Sequence, residues 1–390
     1  MYLPFSIDNP GSDSDAPMFC GAVKYYLGLR FPSLRLPRWV KRLLDSRTIL
    51  KWAARQEGST NARDLEEMTI SMLRGHSKVE DEELNRLMLW LAETGKPDII
   101  HLSNCLLIGL AERFKQELGV KIVCSLQDED GWINAMGKKA ADTVWDLMRK
   151  GARSVDAFTP VSGYYGDVMK KKLEIPADKI HVVRVGIDLE GYVQSDLRLD
   201  PPVIGYLSRM CESLGLGLLV DAFMIIRKNG RLGEVKMKVA GGMTAADRRY
   251  VSKLRRVLRS NGLEQDVEFI SEFDRATRTR FLQQLSVMSV PVPDGEAMGS
   301  YLIEAMAAGV PVVQPEVGGF PELIAATRGG ITYKPSNAET LASTLETLLL
   351  DKARLQELAA AGRGSVVDRF SLDRMAQDML KVYRGLDIAS

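Results

Sequence analysis

The stretch Glu296-Ala-Met-Gly-Ser-Tyr-Leu-Ile-Glu304, continued by Ala-Met-Ala-Ala-Gly309-Val-Pro-Val-Val313, decides how this chain is read. Two glutamates stand eight positions apart, with a glycine-containing turn between them. An apolar run, Val287 to Val292, precedes them, and a helix-like segment closed by Gly309 carries the second. A strand, a tight loop and a helix N-terminus in this order form a place built to receive an anion, because unpaired N–H groups and the helix dipole converge there. Gly299 lets backbone approach a ligand closely, and the N–H groups near Ser300 and Tyr301 can donate to phosphate. Glu304 falls about one turn inside the helix, where a carboxylate repels phosphate. Its fitting partner is therefore neutral and rich in donors, such as the two hydroxyls of a ribose. Glu296, on the loop side, can likewise accept hydrogen bonds from sugar hydroxyls. The structural alternative is that Glu304 complements the helix dipole and Glu296 is a solvated loop acid.

Outward from this stretch the chain alternates short apolar strands with helix-period segments. Strands are expected at Asp98–Leu102, Lys121–Leu126, Ala157–Val161 and His181–Val185. A second set is expected at Val203–Leu207, Lys236–Ala240, Val267–Ile270, Val287–Val292 and Val310–Gln314. Most are β-branched and apolar on consecutive positions, the pattern of parallel sheets covered on both faces. The polar stretch from Gly186 through Asp200-Pro-Pro202 is the natural boundary between two such units. A length of 390 residues lets each bury its own core. The expected architecture is two Rossmann-like, doubly wound domains facing a central cleft, since ligands of such sheets bind beyond the carboxyl ends of the strands.

Composition sets limits. With 52 basic and 51 acidic residues, no global field points to nucleic acid or membrane. Cys20, Cys105, Cys124 and Cys211 are scattered without metal-type spacing, which suits free thiols in a reducing cytoplasm. No apolar run approaches the roughly 18 residues of a membrane span, and the start lacks a basic-then-apolar leader. Gly215-Leu-Gly217 lacks the third glycine of a dinucleotide fingerprint and sits in the wrong register after its strand, which removes NAD from consideration.

With its downstream motifs, the chain resembles the family 4 glycosyltransferases of the GT-B fold. Glu296 and Glu304-Ala-Met-Ala-Ala-Gly-Val-Pro-Val-Val313 follow that family's Glu-x7-Glu pattern. Gly318-Gly-Phe-Pro-Glu322-Leu-Ile, Gly329-Gly-Ile-Thr-Tyr-Lys-Pro335 and Arg369-Phe-Ser371 then come in the family's order over about 75 residues. The resemblance runs through residues 155–390 and more loosely through 97–150. It implies an N-terminal acceptor-side domain over 1–190, a nucleotide-sugar domain over 200–369 and a C-terminal helix, 370–390, returning to the first domain. It also implies a retaining transfer of a sugar from a nucleotide diphosphate to a glycan, lipid-linked or small-molecule hydroxyl, with no cofactor and no metal.

The resemblance assigns residues to roles. Arg209, directly after Val203–Leu207, matches an arginine that contacts the donor diphosphate, where a fixed cation stabilises charge growing on the leaving group. Its residue-level alternative is a surface ion pair. The family's lysine five positions later is Leu214 here. Gly241 and Gly242 follow Lys236–Ala240 and either admit backbone near a nucleotide base or form a turn. In Leu126-Gln-Asp-Glu-Asp130-Gly-Trp132 the family's His-Asp reads Gln127-Asp128, so no acid–base histidine carries over; Asp128 is expected to face the cleft, with Trp132 able to stack on a sugar. His101 matches a common family position, against the alternative of a satisfied structural histidine. Ser162 matches a strand-end serine near the cleft, or caps the following helix. The triplets Asp128-Glu-Asp130 and Asp13-Ser-Asp15 resemble a metal-binding pattern of a different transferase fold, but polar loops and helix-capping acids explain them more simply.

Two departures lie near the start. Family members open with a strand, a Gly-Gly loop and a helix, and nothing in residues 1–30 reads that way, so these parts are expected to be missing. Residues 24–44 hold six basic residues, three aromatic types and no acid. That mixture suits peripheral contact with an anionic bilayer at the inner membrane face, or a solvated helical face interrupted by Pro32 and Pro37. The alternative to an enzyme is a weakened GT-B protein that binds a nucleotide or glycan without turnover, motivated by Leu214, Gln127 and the absent opening loop. An epimerase or phosphorylase has no support of its own, since no context marks a lysine for pyridoxal phosphate.

Overall fold

The computed structural model describes residues 65–75, 78–93, 95–271 and 274–386. Cys20, Asp13-Ser-Asp15, the stretch 24–44 and the opening of the first domain lie outside the described residues. The first part runs through α1 (Glu66–Arg74), α2 (Lys78–Glu93), β1 (Ile99–Leu102), a 3-10 turn (Cys105–Leu110) and α3 (Ala111–Leu118). It continues with β2 (Lys121–Leu126), α4 (Glu129–Asn134), α5 (Lys138–Ala152), β3 (Ala157–Pro160) and α6 (Gly163–Leu173). Strands β1, β2 and β3 pair in that order, all parallel.

The second part alternates more regularly. It holds β4 (Val203–Leu207), α7 (Leu216–Asn229), β5 (Lys236–Ala240), α8 (Ala245–Ser260), β6 (Val267–Ile270), α9 (Arg275–Leu282) and β7 (Val287–Met288). Then come α10 (Ser300–Ala307), β8 (Val312–Pro315), α11 (Phe320–Thr327), β9 (Gly330–Tyr333), α12 (Ala338–Leu350), α13 (Lys352–Arg369) and α14 (Leu372–Arg384). The six strands lie in the order β6-β5-β4-β7-β8-β9, all parallel. Strand order reverses between β4 and β7, the topological switch point where such sheets open a crevice beyond their carboxyl ends. The loops carrying Arg209 and Glu296 leave the sheet on either side of it.

Every residue of β4 is buried, as helices on both faces require. Side-chain caps fix where several helices begin: Ser162 on α6, the Thr244–Asp247 capping box on α8, Asp274 on α9 and Asn337 on α12.

Two strand expectations are corrected, and one strand is added. Val287–Val292 pairs only over Val287–Met288, because the buried amide of Gln314 takes the place of a neighbouring peptide. It accepts from Val290 N at 2.9 Å and donates to Val290 O at 2.9 Å, which ends the ladder and turns the chain toward Glu296. His181–Val185 forms no strand of its own. His181 N and Val183 N donate to Phe158 O and Pro160 O of β3, but only Ile180 makes a bridge, and Val182 stays open to solvent. Conversely, the Gly330–Tyr333 segment of a motif read without secondary structure is an edge strand on β8, and a Cβ on Gly330 would collide with the Val312 carbonyl.

The chain passes between the sheets twice, and the two passes are hydrogen-bonded side by side. Ile187 N donates to Phe370 O at 2.8 Å, and Leu372 N to Ile187 O at 3.1 Å. Gly186 abuts the Ser371 backbone so closely that any side chain there would clash. Beyond this crossing α14 lies on the first sheet, with Val382 packed among Val123, Ala157 and Val183. Among the described residues, no helix is long and apolar enough to cross a membrane.

Candidate active site

The second-domain wall is built by two loops pressed together. Gly295 and Gly318, both in the left-handed region (φ 75° and 63°), pack backbone to backbone. Gly319 N donates to Glu296 O at 2.8 Å, and a Cβ on Gly319 would collide with the Ala297 carbonyl. The Gly318-Gly319 motif is thus the surface on which the Glu296 loop rests. Gly299 (φ 83°) then starts α10 with no side-chain cap, and Ser300 is exposed at its first turn. The N-terminus of this helix keeps donors available for an anion.

Glu296 is half-buried and accepts the Tyr301 hydroxyl at 2.7 Å. Burial, together with the charge of Asp128, holds its carboxyl above the ordinary value, against the opposing Tyr301 hydrogen bond. Glu304 faces α9, where Arg278 Nη1 meets its two oxygens at 2.8 and 3.1 Å. Tyr192 lies beside this carboxylate; burial and the Glu304 charge drive the phenol pKa up. Glu304 is thereby fixed in orientation with lone pairs remaining on both oxygens.

Arg209 is turned toward α8, its Nε 2.8 Å and its Nη2 3.2 Å from the Asp247 carboxylate. Asp247 is also the capping-box residue of α8, so the ion pair joins the end of β4 to that helix. The guanidinium is half-exposed and pre-positioned, but an anion arriving there shares it with Asp247. Leu214 is half-buried against the core. Gly241 is required by its approach to the Ser208 carbonyl, which any Cβ would strike, whereas Gly242 borders open space.

The first domain contributes the end of β2. Asp128 has φ 71°, an αL conformation that sends its carboxylate across the cleft to accept Ala297 N at 2.9 Å. Desolvation there raises its pKa, opposed by the Ala297 hydrogen bond and reinforced by the Asp130 charge. Gln127 is exposed and donates to Ser103 O at 3.2 Å. The buried Glu129 holds this loop by accepting Cys105 N at 3.0 Å, Gln127 N at 2.7 Å and the Tyr165 hydroxyl at 2.9 Å. Trp132 packs partly on the core. Ser162 does both things weighed for it: its Oγ accepts Tyr165 N at 3.1 Å as the helix cap and donates to Ala297 O at 2.6 Å across the cleft.

His101 is held at both ring nitrogens, by Tyr383 of α14 at 2.6 Å and by Ser125 at 2.8 Å. Ser125 in turn meets Thr159 at 3.1 Å, so a polar row runs from α14 across β1, β2 and β3. The structure thus gathers Glu296, Asp128, Ser162 and the α10 N-terminus into one place, flanked by Glu304 and Arg209. It spends His101 on the C-terminal helix. Asp247, Arg278 and Tyr192 escaped sequence reading, and Glu129 and Glu322 showed only as members of the Asp128-Glu-Asp130 triplet and the Gly318-Gly-Phe-Pro-Glu322 motif, since each also acts on a partner distant in sequence.

Two parallel α/β sheets, the second doubly wound about the β4–β7 switch point, meeting at the carboxyl ends of their strands, define the GT-B class of two-domain Rossmann-like proteins. Residues 201–351 match the family described as "Glycosyl transferases group 1", and residues 73–190 match "Glycosyltransferase Family 4". The chain belongs to the family 4 glycosyltransferases. It is similar to the D-inositol 3-phosphate glycosyltransferase of Jonesia denitrificans, with 27% identity over 55% of this chain and 53% of that protein. It is also similar to a GDP-mannose-dependent alpha-(1-6)-phosphatidylinositol monomannoside mannosyltransferase of Mycobacterium tuberculosis, with 25% identity over 62% and 65%. The matches thus span from about half to about two thirds of these curated relatives. Among solved structures, HepE of Anabaena in complex with UDP superposes with a TM-score of 0.67 at 20% identity, covering 78% of this chain and 82% of that one. The sucrose-phosphate synthase of Thermosynechococcus elongatus gives 0.64 at 20% identity, covering 79% of each.

Proposed function

We propose that this protein is a retaining glycosyltransferase that moves a hexose-type sugar from a nucleotide diphosphate to an acceptor hydroxyl, without a metal. The observation that carries this reading is the uncapped start of α10 at the switch point, with Glu296 and Glu304 on its two sides and Asp128 opposite. Glu304, held by Arg278, accepts the ribose hydroxyls. Glu296, aligned by Tyr301, accepts sugar hydroxyls. The Gly299–Tyr301 backbone and Arg209 receive the diphosphate. The acceptor attacks on the face the leaving group departs from, and the departing phosphate takes its proton, so the protein supplies position and charge stabilisation. The names of the relatives, an inositol phosphate in one and a phosphatidylinositol monomannoside in another, support a glycan, lipid-linked or small-molecule acceptor. A lipid-linked acceptor would give the basic, aromatic stretch 24–44 a use against the inner membrane face.

The test is a thermal-shift series with UDP, GDP, ADP and their sugar conjugates, with and without a chelator. A ligand at 100 times its dissociation constant stabilises the protein by about 2.7 kcal/mol. A rise with one base, unchanged by chelator and lost in Glu304→Gln, is the expected result; dependence on a divalent cation would overturn the metal-free reading. A binder without turnover is the second reading, favoured by Leu214 on the core and by Asp247 on Arg209. Leu214→Lys decides between them: donor affinity or turnover rises in a weakened site and stays level in an enzyme served by another cation.

A further inference from the structure

We infer that Asp128, Ser162 and Glu322 form an interdomain latch that positions Glu296. The main chain of Ala297, the residue after Glu296, is gripped on both sides by the first domain. Its N–H goes to Asp128 at 2.9 Å, and its carbonyl accepts Ser162 Oγ at 2.6 Å. The carbonyl of Glu296 itself is held by Gly319 N. Three residues beyond Gly319, Glu322 reaches the other way. Its carboxylate accepts Gly163 N at 3.1 Å and Tyr164 N at 2.9 Å, at the start of α6, and meets Arg184 Nη2 at 3.2 Å. A carboxylate on two N–H groups of a helix N-terminus, with a guanidinium beside it, is a charge-assisted arrangement favoured by the helix dipole. The two packed segments of the second domain are thereby both tied to the first: Ala297 on the loop before α10, Glu322 in the first turn of α11.

The latch contacts are polar and few, and no described helix or strand of the first sheet packs extensively on one of the second. The chain itself passes between the domains at the paired crossing of Ile187, Phe370 and Leu372. A narrow crossing and a polar clasp are the parts of a hinged closure, in which opening breaks a handful of hydrogen bonds that water replaces. Opening the latch frees both peptide groups of Ala297, and Glu296 loses its fixed place; closing it restores them. Asp128, Ser162 and Glu322 are thus positioning residues for Glu296, and the catalytic consequence rests on the proposed role of Glu296.

The test has two readouts on the full chain. Amide hydrogen exchange without ligand is compared for wild type, Ser162→Ala, Glu322→Gln and Glu322→Ala. Exchange at Gly163, Tyr164 and Ala297 is expected to rise about tenfold in Ser162→Ala and Glu322→Ala, with Glu322→Gln in between because it keeps an acceptor. The Ile187 and Leu372 amides should hold their rates. Unchanged exchange at all three latch amides overturns the proposal whether or not the protein transfers sugar. The second readout separates binding from turnover. Affinity for the nucleotide diphosphate found by the thermal-shift series should stay within about twofold, while kcat falls about tenfold or more. Equal loss of both would show general structural damage and overturn the latch. A wild type that binds no nucleotide would instead sink the proposed function and leave the exchange result to decide.

Discussion

The carboxylates at the cleft are tuned by what each faces. Glu296 stands in the field of Asp128, and both carboxyls are raised, first by desolvation. Asp247, although burial acts to raise it, is lowered by its Arg209 and Thr244 contacts. The sign for Glu296 follows directly. Between the unfolded pKa of about 4.3 and its higher folded value, the native state holds a proton the unfolded chain has released, so stability falls as pH rises through that window. Glu296→Gln keeps an acceptor for Tyr301 but cannot ionise. Its melting temperature relative to wild type should therefore climb as pH rises from about 4.3, and a difference flat with pH would show that Glu296 ionises without cost. Glu304 needs different care. Replacing it by alanine takes the carboxylate from Arg278 in a partly buried place, at about 1–3 kcal/mol, which is why glutamine is the cleaner probe of donor binding.

At the level of elements, the loops and the last helix show how local geometry serves the site. The buried Gln314 amide stops β7 after two residues and releases the chain toward Glu296, a device that a run of valines conceals. Gly318 and Gly319 let two loops touch main chain to main chain, which no other residue permits. The docking of α14 depends on Val382 in an apolar pocket and on the Tyr383–His101 hydrogen bond. Tyr383→Phe should weaken this docking by about 1 kcal/mol, read as faster amide exchange across residues 372–386 with β4 and β5 unaffected. Burial lowers the His101 pKa, so the unfolded chain binds a proton more readily and stability drops as pH falls below about 6.5. Exchange in α14 should quicken over that range in wild type, and a pH-independent rate would remove His101 from the account.

Across the whole molecule, the proposed donor contacts reside mostly on the second sheet, while Asp128 and Ser162 arrive from the first. A bound nucleotide should slow amide exchange along residues 205–217 and 295–304 and leave the contact of α14 with the first sheet as it was; protection confined to the first sheet would place the donor elsewhere. Consecutive apolar residues and loop glycines were enough to announce parallel sheets, the resemblance carried by the Glu296–Glu304 and following motifs implied the GT-B class, and the same residues marked a candidate site. These are local signals: a strand covered on both faces must be apolar throughout, and a helix start offers donors whatever lies around it. Partners were another matter. Asp247 on Arg209, Arg278 on Glu304, Tyr383 on His101 and Glu322 on the start of α6 join positions that periodicity does not relate. Only folding brings a carboxylate within 3 Å of a peptide N–H some 160 residues away, as it does for Glu322 and Tyr164. The sequence by itself determined which residues could make the site; the tertiary structure decided which were committed to one another, because ion pairs and caps depend on distance in space and leave no period in the chain.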